Sequence, residues 1–307
     1  MRFPPVLLLC FLLVAAVDVR AQRTPDAVRF PSLTHAEDQR MRFASELLAL
    51  CLEASGEPLR LQPVQAMNQQ RGREAALRGE IDVTLLPNTA RETGALRPVK
   101  LPLRRGLLGV RLLVARPETA EALMHVETSG ELIRGFRMGY DRAWLDAWTF
   151  EAMGFAIVYG NNYSGLFDML RAGRFDYLSR GVNELPAELA EPRLAGRGLV
   201  VVPGIALYYP LDDYFWISPR RLELHAAIER GFLQVLEDGR YAALFNRHYG
   251  RAMREARLHE RSVLHLPGYP VPPGTPLEHF DVLQPEVSRA RLVPPTPPTT
   301  PAEAADG

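Results

Sequence analysis

The chain has 307 residues and a mass of 34.4 kDa, with 47% hydrophobic and 23% charged residues, enough for about two domains with a buried core. Its 36 basic and 36 acidic residues cancel, so the electrostatic footprint of a nucleic-acid binder is missing and that partner class is excluded. All but one of the cations are arginine, the exception being Lys100. Arg2 followed by the apolar run 6–17 is too short to span a bilayer, which takes about 20 residues. With Val19-Arg20-Ala21 behind it, the run predicts a signal peptide over 1–21, cleaved after Ala21, and a periplasmic location. Leu9, before Cys10, is too large for a lipid-attachment signal. Cleavage leaves Cys51 as the sole cysteine, so no intramolecular disulfide can form.

In chain order, residues 28–30 predict a short strand. Residues 38–54 predict a helix, with Ala44, Leu47, Leu48, Cys51 and Leu52 on one face and Gly56 as its stop. Cys51 in that stripe reads as a core residue. A strand is expected over 59–64, a helix over 70–78 ended by Gly79, and strands over 81–86 and 107–115. The alternation then restarts: helix 129–134, strand 136–139, helix 143–153 capped by Asp141, strand 155–159, helix 164–172 capped by Asn162 or Ser164, strand 175–178 and strand 199–202. Two runs of alternating strands and helices argue for two lobes, each built on a mainly parallel sheet flanked by helices. Helices over 221–237 and 240–249 close the folded part. Eleven of the 26 prolines fall in the last 44 residues, and 288–307 reads as a disordered Pro/Thr tail.

Motifs for chemistry are sparse. Neither a phosphate-binding G-x-x-x-x-G-K-[ST] nor a G-x-S-x-G elbow occurs, and none of the seven histidines pairs at metal-ligand spacing, so neither a metal nor a cofactor is expected. Asp212-Asp213 reads as a solvated loop pair. Polar and aromatic residues do gather where the predicted strands end, which is where open α/β sheets bind ligands. These corners hold Asn68 and Gln69; Thr89 and Arg91; Tyr140, Asp141 and Trp144; Asn162 and Tyr163; and Arg180 and Glu184. Arginine, amide and aromatic groups converging in a cleft suit a small polar ligand, and helix N-termini favour an anionic one. Each has a plainer reading: Asp141 as a helix cap, Asn162 as a turn, Trp144 and Trp148 as core at helical spacing.

Four stretches resemble one family. Residues 74–82 (EAALRGEID) resemble its "ALQSGKID". Thr89-Ala-Arg91 with 98–116 resembles its "T-x-E-R … G-x-x-L-V-V-R" lead into the first hinge. Residues 166–177 (LFDMLRAGRFDY) resemble "ALQALKAGRVDA", and 222–250 resemble its closing helix pair. From about Val28 to Gly250 the chain is similar to type 2 periplasmic solute-binding proteins, in particular those for polar amino acids (family 3). The resemblance implies an α/β, two-lobed fold with two hinge crossings: lobe one over 22–115 and 210–261, and lobe two over 116–209. Beyond it lies an extended segment, 262–287, whose Val263, Leu264, Leu266, Val271 and Leu277 offer an apolar set for docking along lobe one. The resemblance also implies a carboxylate-gripping Arg91 with Thr89 beside it, and a lobe-two helix N-terminus at Tyr140-Asp141. Where the family carries an aspartate for the ligand's ammonium, this chain has Arg180-Gly181 and then Glu184, which points to an anionic or amino-acid-like ligand. The implied role is that of a monomeric binding protein serving an ABC-type permease or a sensor in the inner membrane. The alternative on the same fold is an enzyme of the cyclohexadienyl dehydratase type.

Overall fold

The computed structural model describes residues 26–33, 39–142, 144, 146–185, 198–266, 269–283 and 292–293. The expected leader 1–21 and nearly all of the expected tail 288–307 lie outside the described residues. Lobe one begins with β1 (Ala27–Pro31), α1 (Gln39–Ala54), β2 (Arg60–Val64), α2 (Gln69–Arg78), β3 (Val83–Pro87) and β4 (Arg97–Val99). The apolar stripe read from the sequence is the buried face of α1: Phe43, Ala44, Leu47, Leu48, Cys51 and Leu52 are at most 1% exposed. Asn68 caps α2 through its side chain and Gly79 ends it at φ 73°, a conformation only glycine adopts without strain.

The chain crosses to lobe two on β5 (Val110–Ala115). There it forms α3 (Pro117–Leu123), α4 (Ser129–Gly135), β6 (Arg137–Asp141), α5 (Ala147–Ala152), β7 (Ala156–Gly160), α6 (Tyr163–Arg171), β8 (Tyr177–Gly181) and β9 (Val200–Val201). It returns on β10 (Ile205–Tyr208) to β11 (Asp213–Ile217), α7 (Glu223–Glu237) and α8 (Arg240–Ala256). Neighbouring strands are parallel in β1–β2 and β8–β6–β7. They are antiparallel where the chain turns back through the hinge, in β10–β5–β8 and β3–β11–β4. β1 and β3 are joined by the Asp82 N–H donating to the Arg29 carbonyl at 3.0 Å.

Several boundaries differ from the sequence reading, with consequences for the site. Residues 107–109 form a 3-10 turn rather than the start of a strand, because Gly109 lies against the other crossing: a Cβ there would sit 1.6 Å from the Tyr209 carbonyl oxygen. The described α5 starts at Ala147, so Asp141 is the last residue of β6 and not a helix cap. β8 runs to Gly181, which puts Ser179 and Arg180 inside a strand instead of at a corner. β4, β10, β11 and α3 have no counterpart among the elements expected from sequence.

The segment after α8 departs most. β12 (Ser262–His265) adds to lobe two's sheet, parallel to β10, and not to lobe one as expected. β13 (Leu292–Val293) pairs with β12 in turn. From β12 the chain passes over the hinge, stacking Tyr269 on Tyr209 at 4.6 Å. It then reaches lobe one, where Phe280 joins Leu86, Leu96, Tyr214 and Trp216 in a buried cluster. There Arg105 forks onto Asp281 at 2.6 and 2.8 Å.

Candidate functional site

Between the lobes lies a cavity of about 170 Å³. That suits an amino-acid-sized solute and is well below the roughly 300–1,000 Å³ of drug-sized pockets. Lobe one contributes Arg40 from the first turn of α1 and Gln69 from the start of α2. With its amide oxygen toward the helix, Gln69 accepts from the Arg40 guanidinium. The hinge contributes Arg111, Tyr209 and Asp213, and lobe two contributes Tyr140, Trp144, Asp146, Tyr163, Ser179, Arg180 and Glu184.

Beneath the lobe-one wall is a buried ionic network. Asp213 receives Arg40 at 2.7 Å and Arg104 at 3.0 Å. Arg104 is fully buried and also donates to the Tyr249 hydroxyl and the Arg40 carbonyl, both at 2.9 Å. Asp212 accepts the backbone N–H groups of Arg104, Gly106 and Asp213 at 2.7–2.9 Å. The adjacent acids are therefore wholly buried, correcting the solvated reading. Burial pushes Asp212 up to about 7, against the pull of Arg104. Burial also works against Asp213, but Arg40 and Arg104 outweigh it and hold that carboxyl below its ordinary value.

On the lobe-two side, one Glu184 oxygen accepts from the Gly181 N–H at 3.1 Å, Arg180 at 3.2 Å and Arg111 at 3.3 Å. Burial opposes that charge too, yet the two arginines hold Glu184 down to about 2. Gly181 permits the arrangement, because a Cβ there would meet Glu184 Oε2 at 2.9 Å. The Arg180 guanidinium lies 5.0 Å from the Trp144 ring and 5.3 Å from the Tyr163 ring. Tyr140 donates to Asp146 at 2.7 Å and meets Trp144 edge-on at 4.7 Å. The cavity lining thus carries Arg40, Arg111 and Arg180 against Asp146, Glu184 and Asp213.

Of the residues singled out from sequence, Gln69, Tyr140, Trp144, Tyr163, Arg180 and Glu184 line the cavity, and the other five do not. Asn68 and Asn162 are helix caps, accepting from Arg71 N at 2.9 Å and Gly165 N at 2.7 Å. Asp141 is buried at the end of β6, and Thr89 is buried beside Tyr269. Arg91 is exposed and stacks on Trp148 of α5, 3.2 Å from the ring centroid, so it joins the two lobes outside the cavity. The lining residues that sequence reasoning missed are mostly charges in unexpected settings. Arg111 is the lone cation in the apolar strand VRLLVA, and Asp213 sits between Leu211 and the apolar run 214–217; both were visible signals.

No protein-family model and no curated protein sequence matches the chain. Solved structures do match in shape. A periplasmic Venus flytrap domain (VFT2) of Bordetella pertussis BvgS superposes with a TM-score of 0.52 at 15% identity, covering 73% of this chain and 93% of that one. A periplasmic His/Glu/Gln/Arg/opine family-binding protein from Silicibacter pomeroyi, in complex with lysine, gives 0.51 at 15% identity, with 73% and 97% covered. A histidine kinase sensor domain with similarity to periplasmic binding proteins gives 0.51 at 16% identity, with 73% and 96% covered. The chain has the two-lobed, type 2 fold of periplasmic binding proteins and Venus flytrap domains.

Proposed function

We propose that this protein is a periplasmic solute-binding protein, exported with residues 1–21 removed, that closes its lobes on a small polar, amino-acid-like ligand. One observation carries the reading: a cavity of about 170 Å³ between the lobes whose wall sets three arginines against three carboxylates. Such a wall suits a small molecule bearing both charges, because a buried ligand charge is costly unless it is paired. The arginines of that wall favour a ligand carboxylate or other anion, and Asp146, which accepts from the Tyr140 phenol, favours an ammonium. The receiver of the closed form would be an ABC-type permease or a membrane sensor, and the sensor domains among the structural neighbours support the second. Native mass spectrometry of protein purified from its source host tests the reading. A co-purifying small zwitterion or anion, on a chain that begins at Gln22, is the expected result. A chain retaining Met1, or one carrying no small molecule and binding none, would refute it.

A further inference from the structure

The cavity contains donors without a partner among the described residues. Ser179 is 5% exposed, lines the cavity, and its hydroxyl has no hydrogen-bond partner among them. Arg111 is 9% exposed; Nη1 is spent on Glu184 at 3.3 Å, while Nε has no partner among the described residues. An unsatisfied buried donor costs free energy, on the order of 1–3 kcal/mol, unless something binds there. β5 and β8 pair antiparallel with Arg111 opposite Gly181 and Leu113 opposite Ser179. Positions 111, 113, 179 and 181 therefore share one face of the sheet. An Arg111 N–H can only donate, so the missing group is an acceptor, and an anionic one suits a guanidinium best.

From this we infer that Arg111 and Ser179 form the subsite that grips the ligand's carboxylate, at the hinge end of the lobe-two sheet. The grip does not come from Arg91, whose guanidinium is already stacked on Trp148. The inference rests on the ligand-binding reading above and adds to it where the carboxylate lies. Because the subsite is carried on β5, which is also the crossing between the lobes, the carboxylate would be held by the moving part itself.

The test separates the two claims. Wild-type protein is screened by thermal shift against the twenty L-amino acids, and the strongest hit is then titrated calorimetrically beside its own carboxamide. Replacing carboxylate by amide should weaken wild-type binding at least tenfold, since charge-assisted hydrogen bonds to the oxygen are lost. Ser179→Ala and Arg111→Lys should each bind the free acid less tightly and shrink the acid-over-amide preference to about threefold or less; the fork and the hydroxyl, not charge alone, make it. Ser179→Ala removes one oxygen and keeps the fold testable if Arg111→Lys does not fold. Arg91→Ala should keep the preference. A preference lost in Arg91→Ala, or kept in both Arg111→Lys and Ser179→Ala, overturns the subsite and leaves the binding function standing. A wild-type protein that binds none of the twenty overturns both.

Discussion

Replacing Arg104 by methionine should test whether the ionic network beneath the cleft supports the fold as argued. Arg104 is fully buried and has four partners: Asp213 at 3.0 Å, Asp212 at 3.5 Å, the Tyr249 hydroxyl and the Arg40 carbonyl. Methionine approximates its volume, so the loss is electrostatic and not a cavity. Asp213 keeps Arg40 as a partner, but Asp212 is left as a buried acid with only N–H donors. Removing one partner of a buried ion pair costs about 3–5 kcal/mol. At roughly 2–4 °C per kcal/mol for a fold of this size, the melting temperature should fall by about 6–20 °C. Adding Asp212→Asn to Arg104→Met should recover part of that loss, because it removes the stranded acid, with a coupling of about 1 kcal/mol or more in a double-mutant cycle. Calorimetry of the four proteins at one pH measures both quantities. An Arg104→Met protein melting within 2 °C of wild type, or a coupling near zero, would mean that the network is solvated and the reasoning wrong.

Other consequences are open to measurement. Gly231 of α7 lies against the α1 backbone, where a Cβ would sit 1.8 Å from the Cys51 carbonyl oxygen; Gly231→Ala should therefore destabilise by about 1–3 kcal/mol or more in urea titrations, and a neutral result would refute so close a helix crossing. Burial pushes the Cys51 thiol far above its ordinary range, so an aromatic disulfide reagent should label it only after denaturant is added. Asp212, raised by burial to about 7, binds a proton in the folded state that the unfolded chain releases near pH 4. Its contribution is thus fully present below about pH 4 and lost as pH rises toward and through 7, so the stability difference between wild type and Asp212→Asn should shift against wild type from pH 5 to 8. Glu184 has the opposite sign: held down to about 2, it contributes above about pH 4.5 and loses that contribution only as pH falls toward 2. Arg91→Ala should melt within about 2 °C of wild type and weaken amino-acid binding no more than about fivefold, the scale of an exposed cation–π contact.

The periodic parts of the chain are legible in its residues alone. The α1 stripe, the Gly79 end of α2 and the Asn162 cap of α6 follow from local rules that tertiary packing has no reason to override, and the same capping rule accounts for Asn68, read from sequence as a ligand residue. The site is half legible. Arg180, Glu184 and Tyr140 can be found because strand ends collect ligands, and the slip of β8 by three residues does not move Arg180 out of the cleft. Arg91 misleads because a motif fixes the turn that carries a side chain but not the direction that side chain takes. Here Trp148, on the other lobe, offers it an aromatic face. Arg40 and Arg104 escape notice because a charge pattern does not reveal which cations are buried. That depends on acids brought from more than a hundred residues away, such as Asp212 and Asp213 for Arg104.

A two-strand hinge behaves as a near-frictionless pivot, since rotation asks only for small dihedral changes at each crossing. The segment from β12 to Leu283 alters that mechanics. It is bonded along β10 on one side of the pivot and seated on the opposite lobe through Phe280 and Asp281, so it spans the axis of rotation as a third member. Swinging the lobes apart must therefore either carry this brace along as extra load or pull Phe280 out of its apolar seat, at a cost of about 1.5–3 kcal/mol for the ring alone. Such a brace resists rotation of the lobes away from the arrangement described, in either direction. For the solute-binding role proposed above, part of the free energy of binding would then go into moving the brace and not into the cleft itself.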